Sequence, residues 1–163
     1  MQTQSIVYRP IGIIHSPYRD VADMPIQPTG ATGVAGTVAV DEKYQEGFKD
    51  IDGFSHLILI YFFHLSRGFS LQVKPFMDDV ERGVFATRAP RRPNPVGLSV
   101  VRLVRVEGSV LHIEDVDIVD GTPLLDVKPY VPLFDIRQDI KIGWLADRGR
   151  GVFHARADGR FRS

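Results

Sequence analysis

One segment, residues 54–63 with the sequence FSHLILIYFF, constrains the fold most because it is apolar on both faces. A strand of this kind is typical of the middle of a sheet that is covered on both sides. Further short segments with β character surround it, and turns rich in Gly and Pro separate them. These segments are Ile6–His15, Gly33–Val40, Gly83–Arg88, Leu98–Val106, Val110–Val119 and Leu124–Tyr130. Their close spacing predicts a mainly β domain, either a barrel or a sandwich.

Composition limits the class of protein. With 163 residues, 44% of them hydrophobic and 25% charged, the chain has the size and composition of one globular domain. Its longest apolar run, Leu57–Phe63, falls far short of the roughly 20 residues that a membrane helix needs. Without cysteine there are no disulfides, thiol nucleophiles or thiolate-bound metals, and the N-terminal residues show no secretory pattern. We therefore expect a cytoplasmic protein that does not associate with membranes.

The usual glycine-rich nucleotide fingerprints are missing. A Rossmann-type site requires G-x-G-x-x-G between a strand and a helix. The nearest match, the glycines of Gly30–Gly36, has the wrong spacing and leads into a strand pattern. Helical signal is also thin, with two turns expected over Glu42–Lys49 and a short piece over Arg137–Ala146. Any cofactor site must therefore be built differently from a Rossmann nucleotide site.

The segment Gly83–Gly97, GVFATRAPRRPNPVG, is the strongest candidate for a binding or active site. Its three prolines stiffen the backbone, so that little entropy is lost when a ligand fixes it. It also carries Arg88, Arg91 and Arg92, and arginine favours bidentate contacts with carboxylate or phosphate. The alternative is a well-made surface turn whose arginines lie in solvent.

A second candidate segment is Asp115–Tyr130, DVDIVDGTPLLDVKPY. Asp117 lies within an apolar run, which favours a functional role, whereas Asp120 fits a functional acceptor and a turn residue equally well. Upstream, His56 and His64 flank the apolar strand, and His64, at its end, is the better site candidate. At strand rise these histidines are roughly 26 Å apart, too far to share a metal. We expect no metal site.

Several segments occur in an order that resembles the TsaA-like (TrmO) family of tRNA N6-adenosine methyltransferases. They are IGIIHSPYRD, PIQPTG, FSHLILIYFFH, GVFATRAPRRPNPVGLSVVRL and DIVDGTPLLDVKPYVP, and they span roughly residues 6–134. The resemblance implies a single β-barrel domain over residues 1–134, with residues 135–163 as an extension packed on the barrel or on a partner subunit. It also implies a homodimer that binds S-adenosylmethionine near the subunit interface. The implied reaction methylates N6 of threonylcarbamoyl-adenosine at position 37 of tRNA.

The resemblance also assigns roles to individual residues. The cofactor contacts that it implies are Pro25, Ile26, Gln27, His64, Leu65, Arg88, Leu98 and Asp117. We expect Arg91, Arg92 and Lys128 to face the substrate. Because the N6 lone pair is delocalised into the adenine ring, a group that accepts the N6 proton would aid transfer. Asp120 or Tyr130 is expected to serve as that group.

Two alternatives stay open on the sequence alone. The first is an S-adenosylmethionine-dependent methyltransferase that acts on a small molecule. The second is a barrel without enzymatic activity that binds RNA or a nucleotide through basic grooves and aromatic platforms. The candidate platforms are Phe62, Phe63, Phe85 and Tyr130.

Overall fold

The computed structural model describes residues 4–21, 24, 30–76 and 78–146. The strands within these ranges are β1 (Gly12–His15), β2 (Gly36–Val40), β3 (His56–Phe62), β4 (Gln72–Val73), β5 (Arg82–Gly83), β6 (Val96–Glu107), β7 (Val110–Glu114) and β8 (Thr122–Pro129). Six of them close into an antiparallel barrel in the order β1-β2-β7-β6-β3-β8. The remaining two, β4 and β5, pair with each other outside the barrel.

Closure of the sheet decides between barrel and sandwich. The first and last barrel strands pair with each other, Gly12 opposite Leu124 and Ile14 opposite Thr122. Every barrel strand therefore has two neighbours and no edge is left unpaired. The predicted fold class, a mainly β single barrel with short helical segments that is not a Rossmann methyltransferase, is confirmed.

The apolar segment that constrained the fold becomes β3, between β6 and β8. Side chains alternate along a strand, so Leu57, Leu59 and Tyr61 fill the barrel interior. Other strands add interior residues, chiefly Ile14, Val38, Val101, Leu111, Ile113, Val116 and Leu124. The outward-facing Ile58 and Ile60 are half-buried, which explains why the segment is apolar on both faces.

Helices in the described ranges are short. The helical turns predicted over Glu42–Lys49 are confirmed as a 3-10 helix, Glu42–Phe48. The piece predicted over Arg137–Ala146 is reduced to a 3-10 turn at Gly143–Leu145, and the sequence missed a one-turn helix, α1, at Pro132–Asp135. No helix among the described residues has the length and apolar character needed to cross a membrane.

One predicted strand was too long, and the reason is local. The prediction extended it over Val110–Val119, but β7 ends at Glu114. The next residue, Asp115, has φ of 66°, which turns the chain out of the sheet. Its carboxylate accepts a hydrogen bond from the Gly33 N–H at 2.7 Å, which fixes the bend. The bend directs residues 116–121 across one end of the barrel.

We call this end the loop end. There β1, β3 and β7 finish and β2, β6 and β8 begin, as the antiparallel registers require. The opposite end, the far end, holds the Gly108–Ser109 turn between β6 and β7 and the last residue of β8, Pro129. At the loop end a glycine is required on β6, because a Cβ at Gly97 would lie 2.3 Å from the ring of Tyr61.

Candidate active site at the loop end

The loop end brings most of the predicted site residues to one part of the molecule. His64 and Leu65 follow β3, the arginine-bearing loop precedes β6, and Asp117 and Asp120 precede β8. The loop is tied to the segment after β3 by three hydrogen bonds, which join Phe63 N to Pro95 O, Ser66 Oγ to Pro90 O and Ser70 N to Arg91 O. Proline residues in the loop thus supply carbonyl acceptors while limiting backbone motion.

Asp117 is buried at the mouth of the barrel and anchors a chain of hydrogen bonds. Its Oδ1 accepts a hydrogen bond from Ser99 Oγ at 2.7 Å, and Ser99 Oγ lies 3.0 Å from the Tyr61 hydroxyl. Because Ser99 donates to the carboxylate, the Tyr61 hydroxyl donates to Ser99. Burial raises the pKa of Asp117 to about 6, although the Ser99 hydrogen bond and the Arg88 charge oppose the rise.

Arg88 is the cation that faces this buried network. Its charge stabilises ionised Asp117 and also lowers the pKa of Tyr61, whose overall shift is upward because of burial. The sequence-based expectation paired Arg88 and Asp117 in the cofactor site, and the structure places them within electrostatic reach of each other. Sequence reasoning missed Ser99 and Tyr61, which join the network from β6 and β3.

On the rim of the loop end, Asp120 pairs with His15. His15 Nδ1 lies 3.0 Å from Asp120 Oδ1, and the Ser16 N–H donates to the same oxygen at 3.2 Å. These contacts hold the pKa of Asp120 below its ordinary value, the His15 hydrogen bond having the largest effect. With Nδ1–H donating to the carboxylate, the other ring nitrogen, Nε2, is left as an acceptor.

A second histidine, His64, lies near the start of β8. Its Nδ1 is 3.4 Å from Thr122 Oγ1, and that hydroxyl also donates to the Val119 carbonyl at 2.7 Å. Partial burial lowers the pKa of His64, so that the neutral imidazole predominates at neutral pH. His64 therefore offers a neutral donor or acceptor rather than a cation.

The arginine-bearing loop is braced by one of its own arginines. Arg92 Nη1 donates to the carbonyls of Val84 at 3.1 Å and Thr87 at 2.9 Å, with a longer contact to Ala89 at 3.4 Å. Arg92 was expected to face substrate, but this nitrogen is engaged within the loop. Arg91 differs, since its Nε is buried and has no hydrogen-bond partner in the part of the chain that the structure describes. Such a donor is costly unless an acceptor arrives.

The β4–β5 sheet and a C-terminal turn support the loop from outside. The buried Asp78 carboxylate accepts from Arg82 Nε at 2.9 Å and Nη2 at 2.7 Å. The Arg82 guanidinium lies 5.6 Å from the Trp144 ring centroid, and Trp144 Nε1 donates to the Ala86 carbonyl at 2.9 Å. Part of the predicted extension thus contacts the barrel domain, while residues 147–163 lie outside the described ranges.

Three other predicted residues lie away from this cluster. Leu98 follows Gly97 on β6, and its half-exposed side chain faces the outside of the barrel opposite Ile60. Lys128 and Tyr130 are at the far end, because β8 runs about 23 Å from Thr122 to Pro129. Within one chain, Tyr130 therefore does not meet Asp120.

Two further predictions concern the remaining cofactor residues and metal binding. The predicted cofactor residues Pro25, Ile26 and Gln27 lie outside the described residues. Across residues 4–21, 24, 30–76 and 78–146, no group of three or more His, Asp or Glu side chains is arranged to hold a metal ion.

The fold and this cluster define a closed β-barrel protein whose polar site lies at one mouth of the barrel. Residues 13–136 match the family described as the tRNA-methyltransferase O N-terminal domain, and the chain belongs to that family. The predicted family membership is confirmed.

Two relatives and one solved structure show how far the similarity extends. The chain is 57% identical over 158 residues to a probable S-adenosyl-L-methionine-binding protein of Pyrococcus abyssi, covering 97% of this chain and 86% of that protein. It is 34% identical over 145 residues to the tRNA (adenine(37)-N6)-methyltransferase of Escherichia coli, covering 83% of this chain and 62% of that enzyme. TrmO from Pseudomonas aeruginosa superposes with a TM-score of 0.73 at 35% identity, covering 86% of this chain and 63% of that one. The chain thus spans less than two thirds of the named methyltransferases.

Proposed function

We propose that this protein is an S-adenosylmethionine-dependent methyltransferase that modifies N6 of the adenosine at position 37 of tRNA. One observation carries the proposal: His64, Arg88 and Asp117, three separate pieces of the family motif, converge at the loop end. The names of two relatives support the proposed cofactor and reaction. One is a probable S-adenosylmethionine-binding protein and the other is a tRNA (adenine(37)-N6)-methyltransferase. The substrate form that we propose is threonylcarbamoyl-adenosine.

The described residues suit S-adenosylmethionine, which when bound supplies an electrophilic methyl group on a sulfonium sulfur. The cofactor also carries a carboxylate, ribose hydroxyls and an adenine. Arginine matches the carboxylate, and Arg88 supplies a cation at the loop end. Neutral His64 suits a hydroxyl. Because Asp117 is only 8% exposed, we assign it to holding Ser99 of β6 in place and to balancing the charge of Arg88.

We assign proton acceptance to the His15–Asp120 pair. The lowered pKa of Asp120 keeps the carboxylate ionised but makes it a weak base. Its hydrogen bond to His15 Nδ1 instead orients the imidazole, whose Nε2 is the stronger acceptor for the N6 proton. Asp120 is then a positioning residue. Methyl transfer is an in-line displacement, so that correct placement of the two reactants supplies most of the rate.

We further propose a homodimer that works in the cytoplasm, where a tRNA substrate is available. Half-exposed apolar side chains lie together on the outer wall of the barrel, Phe62 opposite Val96 and the outward-facing Ile60 opposite Leu98. An exposed apolar patch of this kind is typical of a subunit interface. Sedimentation of Leu98→Asp checks this point, with dissociation to monomer as the expected result.

The decisive experiment is mass spectrometry of tRNA nucleosides from cells with and without the gene, repeated with purified protein, tRNA and S-adenosylmethionine. We expect the methyl group on the position-37 adenosine to appear only with the protein. An unchanged nucleoside profile, together with methyl transfer to a small molecule, would contradict the tRNA assignment. S-adenosylmethionine binding without turnover would contradict the enzymatic one.

A matched pair of variants tests the proton acceptor. We expect His15→Gln and Asp120→Asn to lower kcat about 100-fold or more while leaving S-adenosylmethionine affinity within about twofold. His56→Gln is the control, because His56 begins β3 at the far end, where its Nδ1 lies 2.9 Å from the exposed Ser55 hydroxyl. If His15→Gln keeps full kcat and Asp120→Asn does not, the carboxylate itself is the acceptor.

A further inference from the structure

Phe85 is the most exposed aromatic residue that the structure describes, with 74% of its surface accessible. It lies in the 3-10 turn Val84–Ala86, three residues before Arg88. An exposed aromatic ring can serve as a binding surface when its backbone is held rigidly and its surroundings are complementary to a ligand. The exposure of Phe85 does not come from a loosely held segment, as its neighbours show.

The backbone on both sides of Phe85 is firmly held. Val84 is fully buried with Val73 and Ala89 in a small apolar cluster. The Val84 carbonyl accepts hydrogen bonds from Thr87 Oγ1 at 2.9 Å and from Arg92 Nη1 at 3.1 Å. On the other side, the Ala86 carbonyl accepts from Trp144 Nε1 at 2.9 Å. Phe85 is therefore an exposed ring on a rigid support.

One face of the ring already has a partner. The Arg92 guanidinium carbon lies 5.8 Å from the ring centroid, while Arg92 Nη1 is bound to loop carbonyls. The guanidinium thus favours one orientation of the ring through a cation–π contact. Most of the remaining ring surface faces solvent.

The chemistry around the ring identifies its partner. The segment Gly83–Gly97 carries Arg88, Arg91 and Arg92 and contains no acidic residue. Aromatic side chains combined with arginines are typical of surfaces that bind unpaired nucleotides, where bases stack on rings and phosphates meet cations. An isologous contact between two copies centred on this segment would instead bring like charges together.

We infer that Phe85 is a base-stacking platform for an unpaired nucleotide of the tRNA anticodon loop beside the adenosine to be modified. This inference rests on the proposed function and names the residue that positions the RNA. Arg92 acts as a positioning residue for the ring. Arg91 is the phosphate contact.

The test compares three full-length variants by their binding to an anticodon stem-loop RNA that carries 2-aminopurine next to the target adenosine. We expect Phe85→Leu to weaken binding about tenfold or more, with loss of the 2-aminopurine quenching that stacking causes. Phe85→Trp should restore both. Tyr44→Leu is the matched control, because exposed Tyr44 also has a cation over its ring, Lys43 Nζ at 4.9 Å, at the far end of the barrel.

The salt dependence of RNA binding distinguishes base stacking on Phe85 from charge contacts with phosphate. Phe85→Leu should leave the slope of log K against log salt unchanged, whereas Arg91→Ala should reduce it by about one counterion. S-adenosylmethionine affinity and sedimentation should be unaltered in Phe85→Leu. Full RNA affinity in Phe85→Leu overturns the platform, and so does dissociation of a dimer or loss of cofactor binding. Failure of the unaltered protein to bind the stem-loop overturns the proposed function instead, and the platform with it.

Discussion

Two carboxyl groups three residues apart, Asp117 and Asp120, show how differently the interior and the rim of the barrel mouth treat the same side chain. Asp117 lies inside, where burial raises its pKa to about 6. Asp120 lies on the rim, where the His15 hydrogen bond lowers its pKa. The first carboxyl is held by a neutral hydroxyl and the second by an imidazole.

The different surroundings of the two carboxyl groups suggest different roles, with Asp117 supporting the fold and Asp120 supporting catalysis. An interior carboxylate that remains ionised requires a nearby cation, and Arg88 supplies that charge. A rim carboxylate is stabilised by solvent as well as by its partner, so that it can orient His15 at little cost. We therefore expect changes at the interior to alter folding and changes at the rim to alter catalysis.

The largest effect should come from the interior carboxyl as pH changes. The folded-state pKa of Asp117 is about 6 and its ordinary value is 3.8, so that folding favours the protonated form. Wild type should lose stability relative to Asp117→Asn as pH rises from about 4 to about 6, by about 3 kcal/mol in total. Urea unfolding of both proteins from pH 4 to pH 7 measures the change. A stability difference that stays constant over this range would contradict a buried, titrating Asp117.

An intermediate effect should follow from removing the hydroxyl between Asp117 and Tyr61. Ser99→Ala leaves two buried polar groups without their shared partner, which should cost about 1–3 kcal/mol. It should also move the Asp117 transition to higher pH, since the Ser99 hydrogen bond favours the charged form. Ser55→Ala, which removes an exposed hydroxyl bonded to His56, is the control and should change stability by less than about 0.5 kcal/mol. If Ser99→Ala lowers the free energy of unfolding by as little as Ser55→Ala does, the interior network adds no stability.

The sequence predicted the strands better than their closure. Local alternation predicts strands such as Phe54–Phe63, but the barrel depends on β1 pairing with β8, and Ile14 and Thr122 are far apart in the chain. For the same reason the sequence did not indicate Ser99 and Tyr61 as partners of Asp117. The end of β7 was missed because Asp115, a residue with no special signature there, adopts a left-handed conformation.

For the site, resemblance to the family named the candidate residues but did not predict the contacts that each side chain makes. Arg92 was expected to contact substrate, yet the loop folds back so that its own carbonyls occupy Nη1. Asp120 and Tyr130 were expected as alternative proton acceptors, and β8 places them at opposite ends of the barrel. His15 forms its pair with a residue 105 positions away, which no local sequence pattern predicts.

The smallest effect on stability should come from the rim. His15→Ala removes the strongest influence on the pKa of Asp120, but the pair is exposed, so that stability should fall by well under 1 kcal/mol. The lowered pKa of Asp120 means that this contribution exists at neutral pH and disappears as the carboxylate is protonated in acid. Urea unfolding at pH 7 and at pH 3, at low and high salt, measures it, with His112→Ala as the control on a similar exposed pair. A loss of several kcal/mol at pH 7 would place His15 in the structural interior and remove the distinction between the two carboxyl groups.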